Sequence, residues 1–155
     1  MATDKISMAR LQELHPSIRQ SAIDAYTEAC KITPVGVHPF ITETFRSFER
    51  SNELYAQGRT KPGKIVSNAK AGQSYHNYGC AIDYCLQING KVSWVVDANW
   101  IKVANVFKKH GFKWGGDWKF KDYPHVEKTN GYTWKQLLAK HNSKDFIPGN
   151  KYVNV

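Results

Sequence analysis

The chain has 155 residues, 41% of them hydrophobic, so it can bury the core of one compact domain and is too short for two domains of ordinary size. Charged residues at 23% and aromatic residues at 13% exclude an intrinsically disordered chain. The net charge of +9 predicts attraction to a polyanion such as nucleic acid, an anionic membrane or an anionic cell-wall polymer. Because the basic residues are scattered along the chain, we predict a solvated basic face and no specific nucleic-acid partner.

The ends and the cysteines indicate the compartment. Residues 1–12 lack the apolar run of a signal peptide, and no stretch has the length of a membrane span. We therefore expect a protein that is made soluble in the cytoplasm. The cysteines are odd in number and lack the paired short spacing of a structural zinc site, so we expect them to be reduced and mostly buried: Cys30, Cys80 and Cys85.

Three elements are predicted in the first part of the chain. Apolar residues three or four apart follow His15-Pro16 and predict a helix that runs to about Lys31. Residues 37–46 are rich in β-branched and aromatic side chains and predict a strand. Ser47 can then cap a short helix that stops at Gly58. Arg46 is thus placed at a strand-to-helix junction.

The middle of the chain predicts a loop followed by a hairpin. Residues 59–73 contain glycine, proline and four basic residues and show neither a helical nor a strand period, which indicates a surface loop. Residues 80–88 are apolar and favour a strand, Asn89-Gly90 is a strong turn signal, and residues 91–96 supply the returning strand. Asp83 then lies mid-strand, with Ile82 and Tyr84 on the other face.

The last part predicts two helices around another strand. Trp100, Val103 and Phe107 follow a helical spacing that ends before Gly111. We expect a further strand within residues 112–127, a short helix over residues 133–141, and then a loose tail.

Two segments supply the residues of a metal site. SYHNYGCAIDY, residues 74–84, places His76 and Asp83 seven residues apart, and DYPHVE, residues 122–127, adds His125. Two imidazoles and one carboxylate favour zinc, because a catalytic zinc keeps three protein ligands and leaves one position for water. Asp122, three residues before His125, is predicted to be the general base that takes a proton from this water. Pro124 argues against a regular helix between them.

These motifs resemble those of the LAS zinc metallopeptidases, in the branch of L-alanyl-D-glutamate endopeptidases and D-Ala-D-Ala carboxypeptidases that includes many phage endolysins. The resemblance depends on SxHxxGxAxD at residues 74–83, WGGDW at residues 114–118 and DYPHVE, and it spans nearly the whole chain. The wider superfamily often carries His-x-His at the third ligand. Glu127 stands there instead, and Asp122 occupies the position where this branch keeps its base.

The resemblance implies an α+β fold of the hedgehog and DD-peptidase type, with a small, largely antiparallel sheet flanked by helices, as a single zinc peptidase domain over residues 1–155. It implies one zinc ion per chain and cleavage of the peptidoglycan stem peptide between L-Ala and D-Glu. Arg46 matches an arginine that holds the substrate carbonyl or its developing oxyanion. We expect a monomeric phage or prophage endolysin that reaches the wall once the membrane is breached, with a bacterial autolysin as the second context.

Several alternatives remain open at this stage. The same metal site would serve a D-Ala-D-Ala carboxypeptidase or dipeptidase, or a zinc-stabilised wall-binding module without activity. Arg46 could be only an ion-pair partner of Glu43 or Glu49. Three residues could contact substrate or serve the fold alone: Ser74, Tyr78 and Trp118. Core packing is the better interpretation of Cys80 and Cys85, and a structural role that of the other histidines: His15, His38, His110 and His141.

Overall fold

A computed structural model describes residues 2–155, and Met1 lies outside the described residues. Five α-helices lie within this range, namely α1 (Lys5–Leu11), α2 (Pro16–Ile32), α3 (Phe48–Ala56), α4 (Ala98–Lys109) and α5 (Trp134–Asn142). Five short strands accompany them, namely β1 (Val37–Glu43), β2 (Ala81–Ile88), β3 (Lys91–Ser93), β4 (Lys113–Trp114) and β5 (His125–Glu127). Two 3-10 turns complete the fold, at Tyr75–Tyr78 and Gly115–Asp117.

The strands form one antiparallel sheet. Its order is β1-β2-β5-β4, and β3 pairs with the other end of β2. The register places Asp83 of β2 opposite Glu43 of β1 on one side and opposite His125 of β5 on the other. Side chains alternate between the two faces of a strand, so this row of polar residues shares one face of the sheet.

The opposite face of the sheet packs against α2 and α4. Ile82 and Tyr84, the neighbours of Asp83, are fully buried there. The Tyr84 ring packs against Trp100 of α4 with ring centroids 4.8 Å apart and planes tilted by 33°, and its hydroxyl donates to the Trp100 carbonyl. This buried layer holds β2 rigidly, and it thereby fixes the side chain of Asp83 on the polar face.

Most sequence predictions of elements agree with the structure. The predicted α+β class with a small antiparallel sheet is confirmed. The helices at residues 16–32, 48–56, 98–109 and 134–142 and the strands β1 and β2 lie where the patterns placed them. Within residues 2–155, no helix is both long and apolar enough to span a membrane. The three cysteines are buried as thiols, as expected.

Four parts of the chain differ from the predictions. The returning strand expected over residues 91–96 is the shorter β3, Lys91–Ser93. Helix α1 was not predicted; Asp4 caps it by accepting a hydrogen bond from the Ser7 amide. The strand expected within residues 112–127 is two short strands, because Gly115 and Gly116 turn the chain between them. The tail is not loose, since Tyr152 and Val153 are buried and His15 bonds the Val153 carbonyl at 2.8 Å.

Candidate metal centre

A short capped turn positions His76. The Ser74 hydroxyl accepts a hydrogen bond from the His76 amide, and Asn77 completes a capping box around the 3-10 turn. Gly79 ends the turn in the left-handed conformation with φ +69. A Cβ at Gly79 would lie 2.6 Å from the backbone nitrogen of His15, so only glycine fits there. The chain then enters β2 directly, which brings His76 beside Asp83.

The backbone around Arg46 orients the His76 ring. Nδ1 of His76 donates to the Thr44 carbonyl at 2.8 Å, and the Arg46 amide donates to the His76 carbonyl at 2.9 Å. A carbonyl accepts only, so Nδ1 carries a proton and Nε2 is the nitrogen that is left to bind a metal. The buried ring therefore presents Nε2 to the polar face of the sheet.

The register of β2 and β5 brings His125 to the same point. His76 Nε2 and His125 Nδ1 each lie 3.3 Å from the same oxygen of Asp83, Oδ1. The two imidazole rings are 5.2 Å apart and nearly perpendicular. One ligand atom from each of the three residues lies within 4.8 Å of the others. The three residues predicted as metal ligands thus converge.

This spacing fits a small tetrahedral ion. Ligand atoms at about 2.0–2.1 Å from zinc lie about 3.3–3.4 Å from each other along the edge of a tetrahedron. The two nitrogen-to-oxygen distances of 3.3 Å have this length. Two imidazole nitrogens and one carboxylate oxygen favour zinc over calcium or magnesium, which prefer all-oxygen shells. The residues present therefore fit zinc.

The charges of the site attract a cation. Burial works against the charged form of His125, but its bonds to Asp83 and Glu127 prevail and raise its pKa to about 9 in the metal-free protein. Burial likewise opposes the ionised form of Asp83, yet the bonds from His125 and His76 hold its pKa far below the usual carboxyl value. The pocket thus holds a positive charge between carboxylates, and a metal ion can take the place of that charge.

Glu127 is a component that the sequence prediction did not assign. Its Oε1 lies 2.8 Å from His125 Nε2, and its side chain is buried. In the sequence, Glu127 stands out only as a departure from His-x-His. The available signal was its spacing, because residues i and i+2 of a strand share one face.

Asp122 lies at the edge of the metal centre. Its Oδ2 is 3.9 Å from His125 Nδ1, farther than Asp83 Oδ1. Its side chain is half-exposed, and partial desolvation at the cleft raises the pKa of its carboxyl group above the ordinary value. The following residue is anchored, because the indole nitrogens of Trp100 and Trp114 both donate to the Tyr123 carbonyl. Asp122 therefore lies within reach of a water at the centre without contacting the ligand set closely.

Arg46 lines the same cleft and also pairs with an acid. Its Nε donates to Glu43 Oε1, which is one of the two ion-pair partners that the sequence suggested. The guanidinium nevertheless faces a cleft of about 370 Å³. The cleft is lined by Glu43, Arg46, Leu54, Val66, Ser67, Ser74, His76, Asp83, Asp122 and His125. Both interpretations of Arg46 are thus compatible with its position.

The three residues suggested for substrate contact have different positions. Ser74 lines the cleft while it caps the His76 turn. Trp118 is half-buried, with its ring 5.4 Å from that of His125. Tyr78 does not line the cleft, because it is buried in the core and its hydroxyl donates to the Gly72 carbonyl. The structure thus packs Tyr78 in the core, and its contact with substrate stays a prediction.

Cys80 lies close to His76 in sequence but is part of the core. It is fully buried beside Tyr78, Leu137 and Val153. Burial, aided by the nearby charge of Glu127, raises the pKa of its thiol to about 12. A neutral thiol is a poor metal ligand, which agrees with the core assignment.

Fold and site together define a metallopeptidase. A family model described as D-alanyl-D-alanine carboxypeptidase, peptidase M15, matches residues 67–128, which contain the three converging residues and Asp122. The chain is also 48% identical over 125 residues to the peptidoglycan L-alanyl-D-glutamate endopeptidase CwlK of Bacillus subtilis. That alignment covers 74% of this chain and 73% of CwlK. The chain belongs to this peptidase family, as the sequence motifs predicted.

A solved structure supports the fold. The crystal structure of the Serratia marcescens L-Ala D-Glu endopeptidase ChiX matches with a TM-score of 0.61 and covers 83% of this chain and 90% of that one. The identity is 24%, so this likeness concerns the fold alone.

Proposed function

We propose that this protein is a zinc-dependent endopeptidase that cuts the stem peptide of peptidoglycan between L-Ala and D-Glu. The observation that carries the proposal is the convergence of His76 Nε2 and His125 Nδ1 on one oxygen of Asp83, with Asp122 at the edge of the same cleft. The similarity to CwlK supports the choice of bond.

Each residue of the cleft then has a role. His76, Asp83 and His125 would hold the zinc ion, which supplies a Lewis acid and an activated water when it is bound. Asp122 accepts the proton of the attacking water and returns it to the departing amine, because its Oδ2 lies 3.9 Å from His125 Nδ1 at the edge of the cleft and partial desolvation raises its pKa. Arg46, held by Glu43, donates to the scissile carbonyl or to a nearby stem-peptide carboxylate.

Digestion of a defined pentapeptide stem, which contains both the L-Ala to D-Glu bond and a terminal D-Ala-D-Ala bond, tests which bond is cut. We expect mass spectrometry to find a new amino terminus at D-Glu or its amide. The Asp122→Asn variant is the control for contaminating peptidases. The D-Ala-D-Ala carboxypeptidase function is the second candidate, because the matching family model bears that description. Release of D-Ala with the L-Ala to D-Glu bond intact would favour it.

A substitution separates the role of Arg46 from wall affinity. Arg46→Ala should lower the turnover of a soluble stem peptide much more than it lowers binding to whole walls, because the guanidinium faces the cleft. Arg50→Ala is a matched control, since Arg50 is exposed and pairs with Glu53 on the same segment. Equal turnover of the Arg46 variant and the wild type would remove Arg46 from the reaction.

The setting that we propose is lysis by a phage or prophage enzyme that is made in the cytoplasm and meets the wall once the membrane is breached. The net charge of +9 supports attraction to anionic wall polymer. Binding to purified walls should therefore weaken as salt rises, because exposed charges are screened within about 8 Å at physiological ionic strength. Wall binding without any cleavage would instead indicate a zinc-stabilised binding module.

A further inference from the structure

A buried carboxylate lies directly behind one of the candidate ligands. Glu127 is 9% exposed, and it shares a face of β5 with His125. Its Oε1 lies 2.8 Å from His125 Nε2. Among residues 2–155, His125 is the only ion-pair partner of the Glu127 carboxylate. Burying a carboxylate is costly unless it is paired, so the imidazole is the group that stabilises Glu127 there.

The two histidines of the metal centre have unequal partners. His76 donates Nδ1–H to the neutral carbonyl of Thr44 and turns Nε2 toward Asp83. His125 turns the other way, since its Nε2 bonds to Glu127 and its Nδ1 points at Asp83. A carboxylate accepts only, so the Nε2 that bonds Glu127 carries a proton, and Nδ1 is the nitrogen that can give up its proton to bind a metal. The negative charge of Glu127 also draws the Nε2 proton toward itself. This makes Nδ1 a stronger electron-pair donor to a metal than it would be with a carbonyl behind Nε2.

We infer that Glu127 is a positioning residue, which fixes the tautomer and orientation of His125 so that Nδ1 binds the metal, and which strengthens that bond. The inference rests on the proposed zinc function and adds to it a residue that does not touch substrate. It predicts that Glu127 controls metal affinity through His125.

The surroundings of Glu127 allow a chemical test of the role. Glu127 also lines a second pocket of about 310 Å³, together with Gly111, Lys113, Lys128, Thr129, Asn130 and Gly131. This pocket shares no residue with the lining of the catalytic cleft. A small carboxylate such as formate can therefore reach the space that Glu127→Ala leaves, without passing through the cleft.

Zinc affinity, measured by competition with a chromogenic chelator, tests the inference. Glu127→Ala should weaken zinc binding by about 10- to 100-fold, the usual effect of removing the partner of a metal-bound histidine. Glu127→Gln keeps an accepting oxygen but loses the charge, so its loss should be smaller. Formate should restore part of the affinity of Glu127→Ala. Glu13→Ala is the matched control, because Glu13 is exposed and pairs with Lys151.

Cobalt substitution supplies a second measurement that is independent of activity. The visible absorption of bound Co²⁺ should shift in both Glu127 variants and stay unchanged in Glu13→Ala. If Glu127 served the fold alone, its variants would lower the melting temperature of the metal-free protein but leave zinc affinity and the cobalt spectrum unchanged. That result would overturn the inference. Should Glu127→Ala fail to fold, the isosteric Glu127→Gln decides. Failure of the wild-type protein to bind zinc would overturn the proposed function instead.

Discussion

Gly115 offers a way to displace the proposed general base without touching a metal ligand. The Gly115 carbonyl accepts a hydrogen bond from the Asp122 amide at 3.0 Å. A Cβ added at Gly115 would overlap the backbone oxygen of Asp122 and lie 2.9 Å from its Cβ. Gly115→Ala should therefore push Asp122 away from its position at the metal centre.

The size of the effect follows from these contacts. Ordinary contacts of a Cβ begin at 3.4 Å, so the Asp122 Cβ must move by at least the 0.5 Å between 2.9 and 3.4 Å, and its backbone oxygen must move farther. A displacement on the order of 1 Å at a catalytic group can cost about 10²-fold in rate. The overpacking should cost about 1–3 kcal/mol of stability, which lowers the melting temperature by roughly 2–12 °C.

Three measurements on Gly115→Ala test the reasoning: kcat on a stem peptide, zinc affinity and thermal melting. We expect kcat to fall by about 10²-fold while zinc affinity stays within a few-fold of wild type. Gly149→Ala is the control, because nothing lies within 4 Å of the added Cβ and its φ of +69 adds only backbone strain. A kcat within twofold of wild type would refute the role of Asp122 as a precisely placed base, and a parallel loss of zinc would show that the clash reaches the ligands.

Three further outcomes are expected. Asp122→Asn should keep zinc, measured by metal analysis, and lower kcat by about 10²- to 10⁴-fold; loss of the metal would make Asp122 a ligand. His76→Ala should lose zinc. A chelator should then lower the melting temperature of the wild type and leave the melting temperature of the variant unchanged. Asp4→Ala should lose about 1–2 kcal/mol in urea unfolding, because Asp4 caps α1 and accepts the Tyr26 hydroxyl. Burial opposes the ionised form of Asp4, but hydrogen bonding from Ser7 and Tyr26 lowers its pKa from 3.8 to about 2. The stability that Asp4 contributes is therefore present above pH 3.8 and is lost as the pH falls toward 2. A stability difference between wild type and variant that stays constant across that pH range would contradict this.

Helix α1 illustrates why one element was missed. Its seven residues contain no long apolar period, and its stability depends on the Asp4 cap and on contacts of Leu11 with the core. Short helices form mainly through tertiary packing, so their local pattern is weak. The tail was missed for a related reason, since Val153 is buried by a contact with His15 that is 138 residues away in sequence.

The sequence by itself determined the elements with a clear period and the chemistry of the site. The spacing of apolar residues predicted α2, α4 and β2, because each pattern depends on one element alone. The types and order of His76, Asp83 and His125 predicted a metal centre, because imidazole and carboxylate are intrinsic ligands.

Only the tertiary structure decided which groups orient that chemistry. The Thr44 carbonyl behind His76 and the Glu127 carboxylate behind His125 became visible once strand register and ring orientation were known. The burial of Tyr78 also depends on contacts between distant elements. Such contacts have no local pattern, because a hydrogen bond requires two atoms within about 3 Å in space, whatever their separation along the chain.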